Sequence, residues 1–254
     1  IIFYIYQTSA TSKATDDNDF NPKYLSNYLS AIILKDNQNS NDSIKYFNSS
    51  KVLINKHEEY LKKYVTALVL NGEVQKSINI VKQNRNKNNS KFFEANLLLL
   101  IDGFKKKKFK QNVKLLYELQ RYREDSNYHY IIYEVLNSYN DLFLTKQINL
   151  NSKKLGKLSL INEAFQYCYL NQTEANSKFI DLINSEEGDY TRYLFFYLNN
   201  LIKTKDLVTA SKISKSINDL DSNLLILQAK HWINNANFNK FHNFFSCNSE
   251  TDIL

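Results

Sequence analysis

A short polar break recurs along this 254-residue chain, and a small or polar residue follows each break at the fifth position. One break is centred on Gly72, one of only four glycines, and separates two apolar runs within residues 68–81. We call the residues at the fifth position anchors: Ser43, Ser77, Asn112, Ala175 and Ala210. Consecutive anchors are 34, 35, 63 and 35 residues apart, so the third interval leaves room for one degenerate unit. This period indicates a chain built from stacked supersecondary units.

Each unit is predicted to be a helix, a tight turn and a second helix. Four positions after the anchor an apolar residue recurs, at Phe47, Val81, Leu116 and Phe179. Four residues are one helical turn, so the anchor and the apolar residue share a face. Gly72 is predicted to end the first helix in a conformation that other residues reach at a cost. Four Gly and one Pro are too few for the turns of an all-β fold, and the sequence therefore predicts an all-α protein.

These units resemble the tetratricopeptide repeat, whose period is 34 residues. Gly72-Glu73-Val74 with Ser77 matches that family best, and Lys205-Asp206-Leu207 with Ala210 comes second. Three anchors are Ser or Asn where the family has Ala, and the family's closing Pro is missing. The resemblance implies a right-handed α-solenoid of about six to seven antiparallel helix pairs. With its hydrophobic leader, the chain is similar to exported tetratricopeptide-repeat proteins of alphaproteobacteria.

The resemblance also implies a division of the chain. The ranges are a signal-peptide remnant at 1–14, a polar linker at 15–22, helix pairs one to three at 23–124, a degenerate pair at 125–155, helix pairs five to seven at 156–246, and a tail or truncated end at 247–254.

The first twenty residues, IIFYIYQTSATSKATDDNDF, bear on the compartment. Six apolar or aromatic residues give way to small ones, with Ala10 and Ala14 at cleavage positions, as in the end of a signal peptide. The chain contains no Met, so we expect residue 1 to follow a processed or missing start. We therefore expect a periplasmic or otherwise exported protein. The alternative is a first strand or helix fragment in a cytoplasmic protein. Elsewhere no run approaches 18 apolar residues, so no transmembrane span is expected in the mature chain.

The net charge of +7 is mostly dispersed, except for Lys105–Lys108 with Lys110. Such a run can attract nucleic acid or anionic lipid, but beside a helix we interpret it as a solvated helix end. The two cysteines, Cys168 and Cys247, are far apart and follow no metal-binding or redox spacing. Each is predicted to be a small buried residue, with no disulfide framework implied.

The sequence contains no pattern typical of catalysis. None of the four histidines has another His, Cys or carboxylate three or four residues after it, and phosphate-binding and nucleophile-elbow motifs are missing. We therefore predict no catalytic residue, no metal, no cofactor and no small-molecule substrate, so the chain is not expected to be an enzyme. The alternative is a helical enzyme whose site is assembled from distant residues.

In the family that the chain resembles, the first helix of each pair lines a concave groove that binds peptides. Carried onto the best-matched units, the candidate binding residues are Glu59, Lys62, Thr66, Arg192, Phe195 and Asn199. They would provide charged clamps and one apolar anchor. The alternative interpretation is an ordinary solvated helix face.

The predicted function is a non-catalytic scaffold in the bacterial cell envelope that binds a protein or peptide partner. The alternative is an RNA-binding helical-repeat protein of the pentatricopeptide kind, whose paired helices have a similar period. Nucleic acid is disfavoured because no pair of positions repeats with the small polar residues that such a code needs, and because the charge excess is modest.

Overall fold

The computed structural model describes residues 21–148, 155–184, 193–217, 224–235 and 237–247. Within these ranges every regular element is helical, which confirms the all-α prediction. The α-helices are α1 Pro22–Asp36, α2 Ser40–Ser49, α3 Glu58–Leu70, α4 Val74–Asn84, α5 Phe93–Lys105, α6 Phe109–Leu119, α7 Asn127–Thr145, α8 Lys157–Tyr169, α9 Ala175–Ile183, α10 Tyr193–Lys203, α11 Leu207–Ile217, α12 Leu224–Asn234 and α13 Phe238–Phe244. The predicted signal-peptide remnant and nearly all of the linker and tail lie outside the described residues.

One type of turn joins the two helices of a pair five times. Each turn has one residue in the left-handed region: Gln38, Gly72, Lys107, Asn171 and Lys205. At Gly72 the N–H donates to Val69 O at 2.9 Å, and the next N–H, of Glu73, donates to Leu68 O at 2.8 Å. The other four turns repeat both hydrogen bonds at 2.8–3.2 Å. This pattern is the Schellman motif, which satisfies carbonyl groups at a helix end. The prediction that Gly72 ends a helix is confirmed.

The anchors are buried in the second helix of their pairs, and none of the five is more than 6% exposed. Small size at these positions allows the two helices to approach. Ser43 Oγ donates to Ala31 O in the preceding helix at 2.8 Å. Where the anchor is larger, at Asn112, the opposing residue is Gly103, and a Cβ there would lie 1.9 Å from Asn112 Oδ1.

The range 125–155 was expected to hold a degenerate helix pair. In its described part the structure has a single helix, the 19-residue α7. Its N-terminus is capped by Ser126, whose hydroxyl accepts from the N–H of His129 at 3.1 Å. Its C-terminus is followed by Lys146 in the left-handed conformation.

The left-handed turn residues give a direct test of the repeated turn. An added Cβ on Gly72 meets nothing within 4 Å, so only the backbone conformation opposes a side chain there. Gly72→Ala is expected to lower the free energy of unfolding by about 1 kcal/mol. Gln38→Gly and Lys205→Gly are expected to raise it by about 0.5 kcal/mol each, because Gly removes the cost of the left-handed conformation. The gain is small because Gly also has more entropy in the unfolded chain, which opposes it.

Urea unfolding of these variants measures the difference, with Gln38→Ala as the control that removes the side chain but keeps the cost of the left-handed backbone. A neutral Gly72→Ala together with destabilising glycine substitutions would contradict this account of the turns.

The chain divides into two compact units, residues 1–95 and 96–254. The core of the first unit is rich in aromatic side chains, including Tyr28, Phe47, Tyr60 and Tyr64. The rings of Phe47 and Tyr64 lie 5.4 Å apart. The hydroxyl groups of Tyr60 and Tyr64 both have acceptors. Tyr60 donates to Phe47 O, and Tyr64 donates to Asn48 Oδ1 at 2.7 Å. Burial raises the pKa of Tyr64 to about 12.

In the second unit, Cys168 of α8 and Cys247, beyond α13, form a disulfide with a Cα–Cα distance of 5.7 Å. Both cysteines are buried, as predicted, and they form a disulfide that their spacing in the sequence did not imply. A separation of 79 residues in sequence says nothing about distance in space, so spacing alone could not reveal the bond. Beside it, Phe245 packs on Phe195 and Phe241 with ring centroids 5.1 and 4.9 Å away.

Candidate functional site

An apolar cleft of about 530 Å³ opens within the second unit, between α5, α7 and α8. Its volume lies in the range of ligand-binding clefts. The lining residues are Leu97, Ile101, Phe104 and Lys105 of α5, Ile131, Ile132, Val135 and Leu136 of α7, and Leu158 of α8. Eight of the nine are apolar, and Lys105 is the single ionisable side chain among them.

Helical spacing explains why these residues form two facing walls. On α5, Leu97, Ile101 and Phe104 are four and three residues apart and so lie along one face. On α7, Ile131 and Val135 are also four residues apart. The wall on α5 is about 12 Å long, at 1.5 Å per residue from Leu97 to Lys105. Ile101 and Ile131 are 44% and 38% exposed, so the cleft is open to solvent.

Charge is concentrated at the end of α5. Lys105, Lys106, Lys107, Lys108 and Lys110 are all exposed. Lys106 Nζ lies 2.6 Å from Asp102 Oδ1, which neutralises one charge of the group. On α7 itself, Glu134 forms an ion pair.

The paired charges of α7 lie near its N-terminal half, where Arg123 contacts Glu134 at 2.7 Å. The guanidinium also lies 4.8 Å from the ring centroid of Tyr130. A side-chain hydrogen bond with Tyr130 is the largest cause that raises the pKa of Arg123. Burial, and then Glu134, raise the pKa of Tyr133. These groups stabilise the surface of α7 and do not line the cleft.

The cleft is suited to binding an apolar surface. Its lining offers no hydroxyl, thiol, carboxylate or imidazole. Among the described residues no group of three or more His, Cys, Asp or Glu side chains is placed to hold a metal ion. The absence of catalysis, metal and cofactor nevertheless stays a prediction.

Three of the predicted binding residues lie on α3, in the first unit. Glu59 is exposed, whereas Lys62 and Thr66 are half-buried. Lys62 Nζ lies 3.3 Å from Glu94 Oε1, and Thr66 Oγ1 donates to Lys62 O at 2.9 Å. The polar groups of Lys62 and Thr66 thus already have partners, and the role of all three residues in binding stays a prediction.

Of the other three predicted residues, the two that the structure describes do not lie in an exposed groove. Arg192 lies outside the described residues. Phe195 is fully buried among other phenylalanines, so it is a core residue instead of the predicted surface anchor. Asn199 is also buried, and its Nδ2 donates to Phe245 O at 2.9 Å while Oδ1 contacts His242 Nδ1 at 2.9 Å. Buried polar groups need hydrogen-bond partners, and those of the Asn199 amide lie in α13 and directly after it. The amide therefore links α10 to this segment.

The cleft was not predicted from the sequence. One signal was present, because residues 97–101 are five consecutive apolar residues that surround α5. A helix that is apolar on every side has more to bury than one partner helix covers. A second was the stripe on α7 at Ile131, Ile132, Val135 and Leu136.

Over the residues that the structure describes, no helix is long and apolar enough to cross a membrane. Comparison of the chain with family models, with curated proteins and with solved structures gives no match. The resemblance to tetratricopeptide repeats therefore stays a prediction that rests on the repeat itself.

Proposed function

We propose that this protein is a non-catalytic helical-repeat scaffold whose second unit binds an amphipathic helix of a protein partner in the apolar cleft. The observation that carries the proposal is the lining of the cleft, eight apolar side chains and Lys105. An extended peptide would leave its backbone N–H and C=O groups without partners against such a wall. A helix satisfies these groups internally and presents only its apolar face.

The dimensions of the cleft favour the same occupant. Apolar side chains at positions i, i+4 and i+7 of a helix span about 10 Å along its axis. The α5 wall, about 12 Å long, accommodates three such side chains. This mode of recognition is helix-in-groove binding.

We further propose that the helix pairs are antiparallel and stack as a right-handed α-solenoid similar to tetratricopeptide repeats. The recurrence of one turn type and of buried anchors supports this arrangement. When the helix pairs stack, each short helix buries its apolar face against its neighbours.

We also propose an exported, periplasmic location. The Cys168–Cys247 disulfide supports it, because disulfides persist in oxidising compartments and are rare in the cytosol. Cell fractionation followed by mass spectrometry of the mature N-terminus tests this proposal. A chain that begins near Thr11 or Thr15 in the periplasm is expected, and a cytoplasmic chain that retains residues 1–14 would contradict it.

Peptide display on the intact protein tests binding to the cleft. We expect a library of random 16-residue peptides to yield sequences with apolar residues at i, i+4 and i+7. Ile101→Asp and Ile131→Asp, which place a charge on half-exposed positions of the two walls, are expected to abolish this enrichment.

Ile202→Asp is the matched control, since Ile202 is 42% exposed on α10 and does not line the cleft. The proposal is wrong if the wild-type protein enriches no peptide over the bare support, or if the cleft variants and the control enrich the same peptides. Circular dichroism of each variant verifies that the helices are retained.

A further inference from the structure

The basic run of residues 105–110 is brought together at one end of the cleft. Lys105 belongs both to the last turn of α5 and to the cleft lining. The left-handed residue Lys107 reverses the chain, and Lys108 occupies the position directly before the first residue of α6. The Cα atoms of four consecutive residues cannot extend beyond about 11 Å, so Lys106, Lys107 and Lys108 lie near Lys105, which lines the cleft at that end.

The positive charge of this basic run lies at the N-terminus of α6, where a helix favours negative charge. A helix N-terminus favours acidic side chains, because the macrodipole places partial positive charge there. The first turn of α6 contains no acidic residue; Lys108 directly precedes this helix and Lys110 is its second residue. By contrast, α3 begins with Glu58 and Glu59. The end of the cleft therefore combines Lys105 and Lys108 with the positive end of a helix, and Asp102 forms an ion pair with Lys106.

Resting on the proposed function above, we infer that the partner helix carries a cluster of carboxylates next to its apolar face, and that these lie against Lys105 and Lys108. Charge complementarity fixes the direction of the bound helix, with its acidic end at the C-terminal end of α5. Such charges at the rim contribute mainly to association rate and specificity, and the apolar face provides the remaining affinity.

A protein helix fits these features better than an anionic membrane surface. The apolar side chains form the walls of a cleft between helices instead of projecting from the surface. A lipid surface would contact the lysines but would not reach Phe104, which is 2% exposed at the base of the α5 wall.

The same display library distinguishes the charge effect from binding itself. Selection is carried out in parallel on the wild-type protein, on Lys105→Glu/Lys108→Glu, and on Lys23→Glu/Lys51→Glu. The last variant has the same change in net charge at exposed positions in the first unit. We expect the wild-type protein and the control to enrich peptides with Glu or Asp after the apolar positions. The charge-reversed variant is expected to bind a synthetic peptide from that pool about fivefold more weakly, the usual size for an exposed ion pair.

Replacing the carboxylates of that peptide by Gln is expected to weaken binding to the wild-type protein by about the same factor, and to strengthen binding to the charge-reversed variant because the repulsion between like charges is removed. If amphipathic peptides are enriched without acidic residues, this inference is wrong and the proposed function stands. If acidic peptides without the apolar pattern are enriched, both are wrong.

Vesicles of phosphatidylcholine and phosphatidylglycerol in equal parts are expected to leave the protein in solution at physiological salt. Cosedimentation that the charge-reversed variant loses would favour a membrane surface and overturn the inference.

Discussion

Reduction of the Cys168–Cys247 disulfide is expected to lower the free energy of unfolding of the second unit by about 4 kcal/mol. The bond closes a loop across 79 residues, and a closed loop of this size restricts the unfolded chain strongly. Urea unfolding with and without dithiothreitol measures the effect. Trp232, the single tryptophan, lies between the two cysteines in sequence and packs on Phe244 at 5.2 Å, so its fluorescence reports on this region.

The double variant Cys168→Ala/Cys247→Ala is the matched control. It is expected to unfold near the reduced wild-type protein and to be insensitive to dithiothreitol. Oxidised and reduced wild-type protein unfolding at the same urea concentration, or free thiols titrating in the native protein, would show that the bond is not formed.

Replacing Phe195 by Ala is expected to lower the free energy of unfolding by about 3–5 kcal/mol, the usual cost of removing a buried phenylalanine side chain. Phe195 is fully buried, and its ring lies 5.1 Å from that of Phe245 and 6.3 Å from that of Phe241. The cavity would lie where α10 meets the residues of α13. Urea unfolding followed by Trp232 fluorescence measures the loss.

Phe238→Ala on α13 is the control, because Phe238 is 55% exposed and its removal leaves no cavity. We expect this control to cost less than about 1 kcal/mol. The result also distinguishes Phe195 as a core residue from Phe195 as an anchor for a partner. A side chain that anchors a partner would leave stability almost unchanged and reduce peptide binding instead.

The repeated turns could be predicted from the sequence because their causes are local. Gly72 ends a helix, and Ser43 and Ser77 are small because two helices meet there. The turn residues Gln38 and Lys205 show the limit of this reasoning. Neither is typical of a left-handed position, and the turn is recognised only because its neighbours repeat.

The cleft and the disulfide could not be predicted in the same way, because both depend on which helices become neighbours. Residues 97–101 indicate a helix with excess apolar surface, but not the face that stays uncovered. Phe195 was placed in a groove by analogy of position, and a shift of one residue rotates a side chain by about 100° around the helix axis. Burial of Phe195 and Asn199 follows from α13, whose short aromatic segment carries only a weak repeat signal.

Isoleucine methyl NMR with the peptide that the wild-type protein enriches most tests the central claim, that the apolar cleft is the binding site. The methyl groups of Ile101, Ile131 and Ile132 line the cleft, whereas Ile33 and Ile202 are exposed elsewhere. The account predicts that saturating peptide shifts the three cleft resonances and leaves the other two in place. Shifts confined to isoleucines outside the cleft would contradict it, because the partner would then bind a different surface.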